Sequence, residues 1–370
     1  MKKKVKSPRR VEDTDGEPLT RRSALKEIGA AMAGSLIGAG MIGSPAEARE
    51  SFSTGDSGTA NKGRNLVIDI HAHLAPPGTY DNIIYMHDVD LLKKQQDEAG
   101  VNITVISDPM FGFPWDKGES RCLDLLKKFH DFAGDLVARN KGRFVAFAST
   151  NPFGGDGYLK EVERAVKDGG MKGICVNSSV NGEYLDSKRA YPLYELAIQL
   201  DVPIFEHPPA STMGAEYMHE YRLSEMVGRP CDTTLSIARL ILFGVLERYP
   251  KLKLICAHMG GAMMMLPGRL DFGYTLRSDK EAFGPWEPDV LTMPPSEYIK
   301  KLYVDSMGFH APGVICAVST IGADHVLLGS DHPPVPISLK KSVDLIRDIP
   351  LPENEKKKIL GLNAACLLKI

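Results

Sequence analysis

Two histidines two residues apart close the apolar run Ile68-Asp69-Ile70-His71-Ala72-His73. Successive side chains of a strand alternate between faces, so both imidazoles point the same way. Such a pair is half of a metal site. Three further strand-like runs end in ligand-type residues: Pro203-Ile204-Phe205-Glu206-His207, Ile255-Cys256-Ala257-His258 and Leu327-Leu328-Gly329-Ser330-Asp331. One histidine at a strand end is usually a hydrogen-bonded structural residue. Five imidazole or carboxylate groups at the matching end of four strands point instead to one shared centre, because strands buried on both faces carry polar side chains only for a special reason. Asp305, in Val304-Asp305-Ser306, is placed to orient a ligand from behind. Glu206 faces away from His207 and reads as structural. His310 and His332 follow later strands and stand near the same end, whereas His87, His130, His219 and His325 carry no such signal.

Those residues need a scaffold that brings strand ends together. Eight short apolar, β-branched runs recur: 65–73, 102–109, 144–152, 171–179, 202–209, 252–260, 302–307 and 325–333. Helical periodicity lies between most of them. Leu193, Leu196, Ala197 and Leu200 form one apolar stripe, with Asp186 as the expected cap, and Thr233 to Tyr249 form another behind Asp232. About 40 residues per unit hold a strand, a helix and two loops, which predicts an α/β fold of the (β/α)8 TIM-barrel type with all strand ends on one face. A doubly wound open sheet is the alternative. It would carry a glycine-rich phosphate loop after the first strand, where this chain has His71-Ala72-His73. Two closing helices are expected at 353–360 and 363–369.

The 370 residues include 45 Lys plus Arg and 47 Asp plus Glu, a formal net charge of -2. That balance gives no support to a nucleic-acid partner. The first 48 residues look different from the rest. A basic, polar stretch is followed by uncharged Ile28 to Pro45 and by Ala46-Glu47-Ala48, the small-x-small form of a signal-peptidase site. Within it, Thr20-Arg21-Arg22-Ser23-Ala24-Leu25-Lys26 resembles the twin-arginine export motif, with Ala24 in place of the usual phenylalanine. The expected organisation is a signal peptide at 1–48, a Ser/Gly/Thr-rich linker at 49–64 and a catalytic domain at 65–370. The expected partner is the twin-arginine export machinery and the expected location periplasmic after cleavage near Ala48. An uncleaved anchor is the alternative. All six cysteines follow the leader, yet none forms a CxxC pair. The twin-arginine route exports proteins already folded in the reducing cytosol, so disulfides are not expected, and Cys175 and Cys256, inside apolar strand-like runs, read as small buried hydrophobes.

With these motifs in place the chain resembles the amidohydrolase superfamily, in the branch that contains aminocarboxymuconate-semialdehyde decarboxylase and related aromatic-acid decarboxylases. The resemblance rests on Asp69-Ile70-His71-Ala72-His73, Phe205-Glu206-His207-Pro208, Ala257-His258-Met259-Gly260-Gly261 and Gly329-Ser330-Asp331-His332-Pro333. Gly169-Gly170-Met171-Lys172-Gly173-Ile174 and Gly361-Leu362-Asn363-Ala364-Ala365 support it. It implies that His71, His73, His207 and Asp331 hold one divalent metal, with His258 beside it as acid or base and Asp331 sharing the proton handling. Three imidazoles and a carboxylate suit Zn²⁺, with Mn²⁺ as the alternative. Binuclear relatives bridge two metals with a modified lysine at the end of the fourth strand. Here that end is Val176-Asn177-Ser178-Ser179, so a single metal is expected.

The same site serves two chemistries on a small-molecule substrate. A hydrolase of a lactone, ester or amide directs hydroxide at a carbonyl. A carboxy-lyase binds an acid, protonates a carbon and releases carbon dioxide, and so needs a cation for the carboxylate. Arg269, eleven residues after His258, resembles an arginine that reaches a substrate carboxylate in the decarboxylase branch, sometimes across the interface of a homodimer. Phe111-Gly112-Phe113-Pro114-Trp115 supplies apolar walls for a ring, with Trp115 as the substrate-binding candidate and Met263, Met264 and Met265 adding to them. The carboxy-lyase is the preferred reading, the hydrolase the second, and a metal-dependent binding protein without turnover the third.

Overall fold

The computed structural model describes residues 66–83, 85–279, 281, 284–335 and 339–370. The expected signal peptide and linker lie outside these residues.

Eight parallel strands alternate with helices. They are β1 (Ile68–His73), β2 (Ile103–Ser107), β3 (Phe144–Ala146, continued as Ala148–Ser149), β4 (Ile174–Asn177), β5 (Ile204–His207), β6 (Leu254–Cys256), β7 (Tyr303–Asp305) and β8 (Val326–Leu327). Each pairs with the next in chain order, from Ile68 opposite Ile103 through Val304 opposite Val326. β3 is interrupted at Phe147, whose amide still donates to Ile106 O at 2.9 Å, so its two halves join the β1–β2 side of the sheet to the β4–β8 side. The ring closes between its first and last strands. Ile70 N donates to Leu328 O (2.9 Å), Asp331 N to His71 O (2.8 Å) and His73 N to His332 O (2.8 Å). The eight-stranded barrel expected from the strand count is the architecture observed.

Alternation sorts each strand into two layers. Ile68, Val105, Val145, Cys175, Phe205, Ile255 and Leu327 pack together with Ala364, Leu367 and Leu368 of the final helix, which plugs one end. Ile106, Ala146, Ile174, Val176, Ile204, Leu254 and Val326 pack outward against the helices. By the same parity His207 shares the face of Phe205, and Glu206 faces the helical layer, where burial pushes its acid up to about 8.

The helices that cover the strands are α1 (Val89–Ala99), α2 (Glu119–Arg139), α3 (Asp156–Lys167), α4 (Tyr191–Leu200), α5 (Arg229–Leu242), α6 (Pro267–Thr275), α7 (Ala311–Ile321), α8 (Leu339–Asp348) and the terminal α9 (Asn363–Leu368). Their buried stripes follow the expected spacing, as with Tyr158, Glu161, Val162 and Ala165 on α3. Two expected caps are not caps. Asp186 takes both arms of the Arg239 guanidinium (2.6 and 2.7 Å), and Ser187 caps the short helical turn that leads into α4. Asp232 lies inside the first turn of α5, buried, and accepts from Ser178, Ser179 and Tyr184. A charged side chain that finds a strong donor in another element does not stay with its own helix end. The helix expected over 233–249 accordingly begins earlier, at Arg229, and ends at Leu242, with a separate turn at Val245–Arg248.

Candidate metal centre

The carboxyl ends of β1, β5 and the segment after β8 converge. His71, His73, His207 and Asp331 are buried, and one donor atom from each lies within 4.8 Å of the other three. β1 carries one extra residue relative to β2 between Asp69 and Ala72, a bulge at the point where the first imidazole must turn inward. The strand is clamped there to the segment bearing Asp331: Ser330 Oγ and N donate to the Asp69 carboxylate (2.6 and 3.1 Å), as does His71 N (3.2 Å). Gly329 completes the junction, since an added Cβ would meet the Asp305 side chain at 2.7 Å and that of His71 at 3.1 Å.

Each imidazole of β1 is oriented through its far nitrogen. His71 Nδ1 donates to Asp305 Oδ2 (2.6 Å), and His73 Nδ1 donates to the Ser107 carbonyl (3.1 Å). Asp305, expected to orient a neighbouring polar side chain, does contact His71, although the two are 234 positions apart. These bonds turn both Nε2 atoms toward the same point, 3.1 Å from each other and 3.3 and 3.1 Å from Asp331 Oδ1. His207 completes the cluster with both ring nitrogens buried and without a hydrogen-bond partner.

The electrostatics call for a cation. Burial and the neighbouring rings hold His207 well below the usual imidazole range, and burial also lowers His73, so both are neutral at neutral pH and keep a lone pair to offer. His71 goes the other way: against burial, Asp331 and Asp305 lift it to about 10. Burial raises Asp331, but His71, His258 and His73 outweigh it and hold its carboxylate well below the usual range. A positive charge thus belongs between the imidazoles and Asp331, and a divalent ion supplies it without a proton. The donor set fits one such ion.

His258 stands next to this cluster. Its Nε2 lies 3.3 Å from Asp331 Oδ2, and its ring centre is 5.1 Å from that of His71 and 5.4 Å from that of His207. The backbone turns sharply there. His258, Met259, Gly260 and Gly261 all have φ between 55° and 67°, and Asp331 has φ 55°. Left-handed non-glycine residues persist only where surrounding structure over-determines them, and they cluster at functional sites. Gly261 is required: a Cβ would approach the Pro230 carbonyl oxygen to 2.2 Å.

Residues 68–370 match the family model described as amidohydrolase. The chain belongs to the amidohydrolase family. This amidohydrolase is 31% identical over 278 residues to 2-amino-3-carboxymuconate-6-semialdehyde decarboxylase of Dictyostelium discoideum, a match covering 75% of each chain. Its fold resembles the crystal structure of 5-carboxyvanillate decarboxylase from Sphingomonas paucimobilis, with TM-score 0.74, 21% identity and coverage of 83% of this chain and 100% of that one. It also resembles dihydroxybenzoic acid decarboxylase from Polaromonas sp. JS666, solved with bound manganese and the inhibitor 2-nitroresorcinol. There the TM-score is 0.69, the identity 22% and the coverage 83% and 97%.

Two cavities open at the strand ends of the amidohydrolase. One, of about 510 Å³, is lined by His258 and Asp331 together with Arg229, Met307, Phe309 and Val335. The other, of about 480 Å³, includes Trp115, Phe113, Asn177, Tyr184 and Thr212. Trp115 packs on Phe113, ring centres 4.2 Å apart, and does not line the first cavity. Arg269 is exposed on α6, lines neither cavity, and among the described residues its side chain makes no ion pair. Met263 and Met264 are buried packing residues, and Met265 is exposed. Arg229 lies outside the expected set of site residues, whereas Phe111 belongs to the loop expected to wall the site and packs against His207. Arg229 sits at the start of a helix, where no strand-end rule singles it out.

Proposed function

We propose that this amidohydrolase is a metal-dependent carboxy-lyase that removes carbon dioxide from a small aromatic or unsaturated carboxylic acid. The observation that carries this reading is a buried His3Asp cluster with a further imidazole, His258, beside it, in a chain 31% identical over most of its length to a decarboxylase. His71, His73, His207 and Asp331 would hold the ion. Zn²⁺ is the proposed metal and Mn²⁺ the alternative, the ion found in a similar structure. When bound, it anchors substrate oxygen and draws electron density from the reacting ring.

The chain's own residues do the rest. His258, as imidazolium, transfers its proton to the carbon that bears the carboxylate. The bond from that carbon to the carboxyl group then breaks, its electron pair stays on the ring, and carbon dioxide leaves. Asp331 faces His258 and steadies the imidazolium. Trp115 is proposed to border a substrate extending toward the second cavity, and Arg269 to act on substrate only within a homodimer, from the adjoining copy.

The decisive experiment loads purified protein with Zn²⁺ or Mn²⁺ and offers aromatic acids alongside lactones, esters and amides. Carbon dioxide from an aromatic acid is the expected result. Hydrolysis of the neutral compounds with no carbon dioxide would establish a hydrolase instead. Residues 1–48 are proposed to direct twin-arginine export to the periplasm, on the strength of Thr20-Arg21-Arg22 and Ala46-Glu47-Ala48. Arg21→Lys with Arg22→Lys should leave the full-length chain in the cytoplasm, and unchanged export would reject that route.

A further inference from the structure

Phe111 sets its ring against His207 and His73, centres 5.4 and 6.2 Å apart. Over the ring of Phe111 lies the Arg229 guanidinium, 4.4 Å from its centroid. This cation is half-buried, and burial lowers its proton affinity while Asp331 and Glu225 work to restore it. Its Nε is buried and has no hydrogen-bond partner. Glu225, four residues away, is directed instead at Arg222, 4.0 Å distant, and among the described residues no carboxylate pairs with Arg229. A half-buried guanidinium with an open donor is costly to maintain unless an acceptor arrives from elsewhere. Arg229 lines the cavity that also contains His258 and Asp331, so the acceptor that fits is a ligand.

We infer that Arg229 holds a second anionic group of the substrate, one that remains on the product, and that the preferred substrates are therefore small acids with two anionic substituents. The inference rests on the carboxy-lyase reading for which group departs, but its anion site stands on geometry alone. Two features separate this group from the departing carboxylate. Arg229 is one aromatic ring removed from the metal cluster, stacked on Phe111, which itself abuts His207, so a ring-sized molecule anchored at the cluster presents its far substituent to the guanidinium. In addition, a carboxylate about to leave as neutral carbon dioxide gains nothing from a clamp that favours its charged ground state, whereas a retained anion is held equally throughout the reaction. A planar guanidinium offers such a group paired donors. A mono-acid would leave that donor unmet, which is how a polar site discriminates.

The test titrates metal-loaded protein calorimetrically with benzoate, isophthalate and terephthalate. None of these bears the ring hydroxyl that would activate it for loss of carbon dioxide. Wild type should bind the better dicarboxylate about 10- to 100-fold more tightly than benzoate, the range of one charge-assisted pair. Arg229→Met should bring the two within about twofold at unchanged metal content, and Arg229→Lys should retain part of the preference. Arg229→Gln carries the same comparison if the Met variant does not fold. An undiminished preference in Arg229→Met, or no preference in wild type, overturns the site. Loss of metal from the Met and Gln variants alike also overturns it, because Arg229 would then be a structural support. A wild type that prefers the dicarboxylate through Arg229 yet releases no carbon dioxide from any aromatic acid keeps the anion site and sinks the carboxy-lyase reading. Carbon dioxide release with equal kcat/KM for mono- and diacids does the reverse.

Discussion

The cavity bounded by Arg229, His258, Asp331 and Phe309 and the cavity bounded by Trp115, Asn177, Tyr184 and Thr212 differ little in volume, about 510 against about 480 Å³. Both open where strands end and loops begin. Their polar groups differ in kind. In the second cavity Tyr184 and Ser179 already donate to Asp232, and the atoms left open, Asn177 Oδ1 and Thr212 Oγ1, are neutral. In the first, the open atoms are His258 Nδ1 and Arg229 Nε. Unmet charged or titratable groups cost several times more to bury than unmet neutral ones. Unsatisfied charge, more than size, marks where a barrel expects a ligand.

The comparison breaks most decisively at the ligands. His71→Ala or Asp331→Ala should reduce bound metal well below one per chain and abolish turnover, and elemental analysis alongside an activity assay checks both. Metal content equal to wild type in both variants would show that the charged cavity is not a metal site.

His258→Ala comes next. It should keep about one metal per chain while kcat falls by ~10² to 10⁴, the range for a lost general acid or base. Departure of the metal with the imidazole would make His258 a ligand.

Trp115→Ala probes the neutral cavity. If this wall only borders the substrate, KM should rise by about 2- to 10-fold with kcat unchanged, the pattern of lost uniform binding. A fall in kcat as large as that of His258→Ala would erase the distinction between the two cavities.

The smallest effect on activity should come from a charged network outside both cavities. His130 Nδ1 donates to Glu161 Oε1 (2.7 Å), and Arg164 binds the same carboxylate (2.7 and 2.9 Å), tying α2 to α3. Burial raises Glu161, but these donors prevail and lower it from 4.5 to about 2. A depressed carboxylate contributes stability that is fully present above its unfolded value and is lost as pH falls through the folded one. Glu161→Gln should therefore leave kcat unchanged and cost about 1–3 kcal/mol in urea unfolding at pH 7, a gap that closes as pH falls from 4.5 toward 2. A gap that widened with acid would reverse the assignment.

How much of this was legible beforehand depended on how local each signal was. The strand ends were readable because their cue is contiguous: an apolar run stopped by His71 and His73, by His207, by His258 or by Asp331 needs no knowledge of the rest of the chain. The caps assigned to Asp186 and Asp232 failed for the opposite reason. Local chemistry favours an acidic residue before a helix, but Arg239 lies 53 positions from Asp186 and outcompetes the helix end. Arg229 could not be singled out, because its meaning comes from Phe111, more than a hundred residues earlier.

By itself the sequence determined the alternation of strand and helix, the parity that turns His71 and His73 to one face, and the identity of the ligand-type residues. Each of these follows from backbone periodicity and side-chain chemistry within a few residues. Only the tertiary structure decided which groups meet. Ring closure between β1 and β8 brings His71 beside Asp305 and Asp331, Ser330 locks onto Asp69, and the approach of α5 to the loop after β2 lays Arg229 over Phe111. Contacts across such separations are set by how eight twisted strands close around a packed interior, a property of the whole barrel that no window of the chain contains.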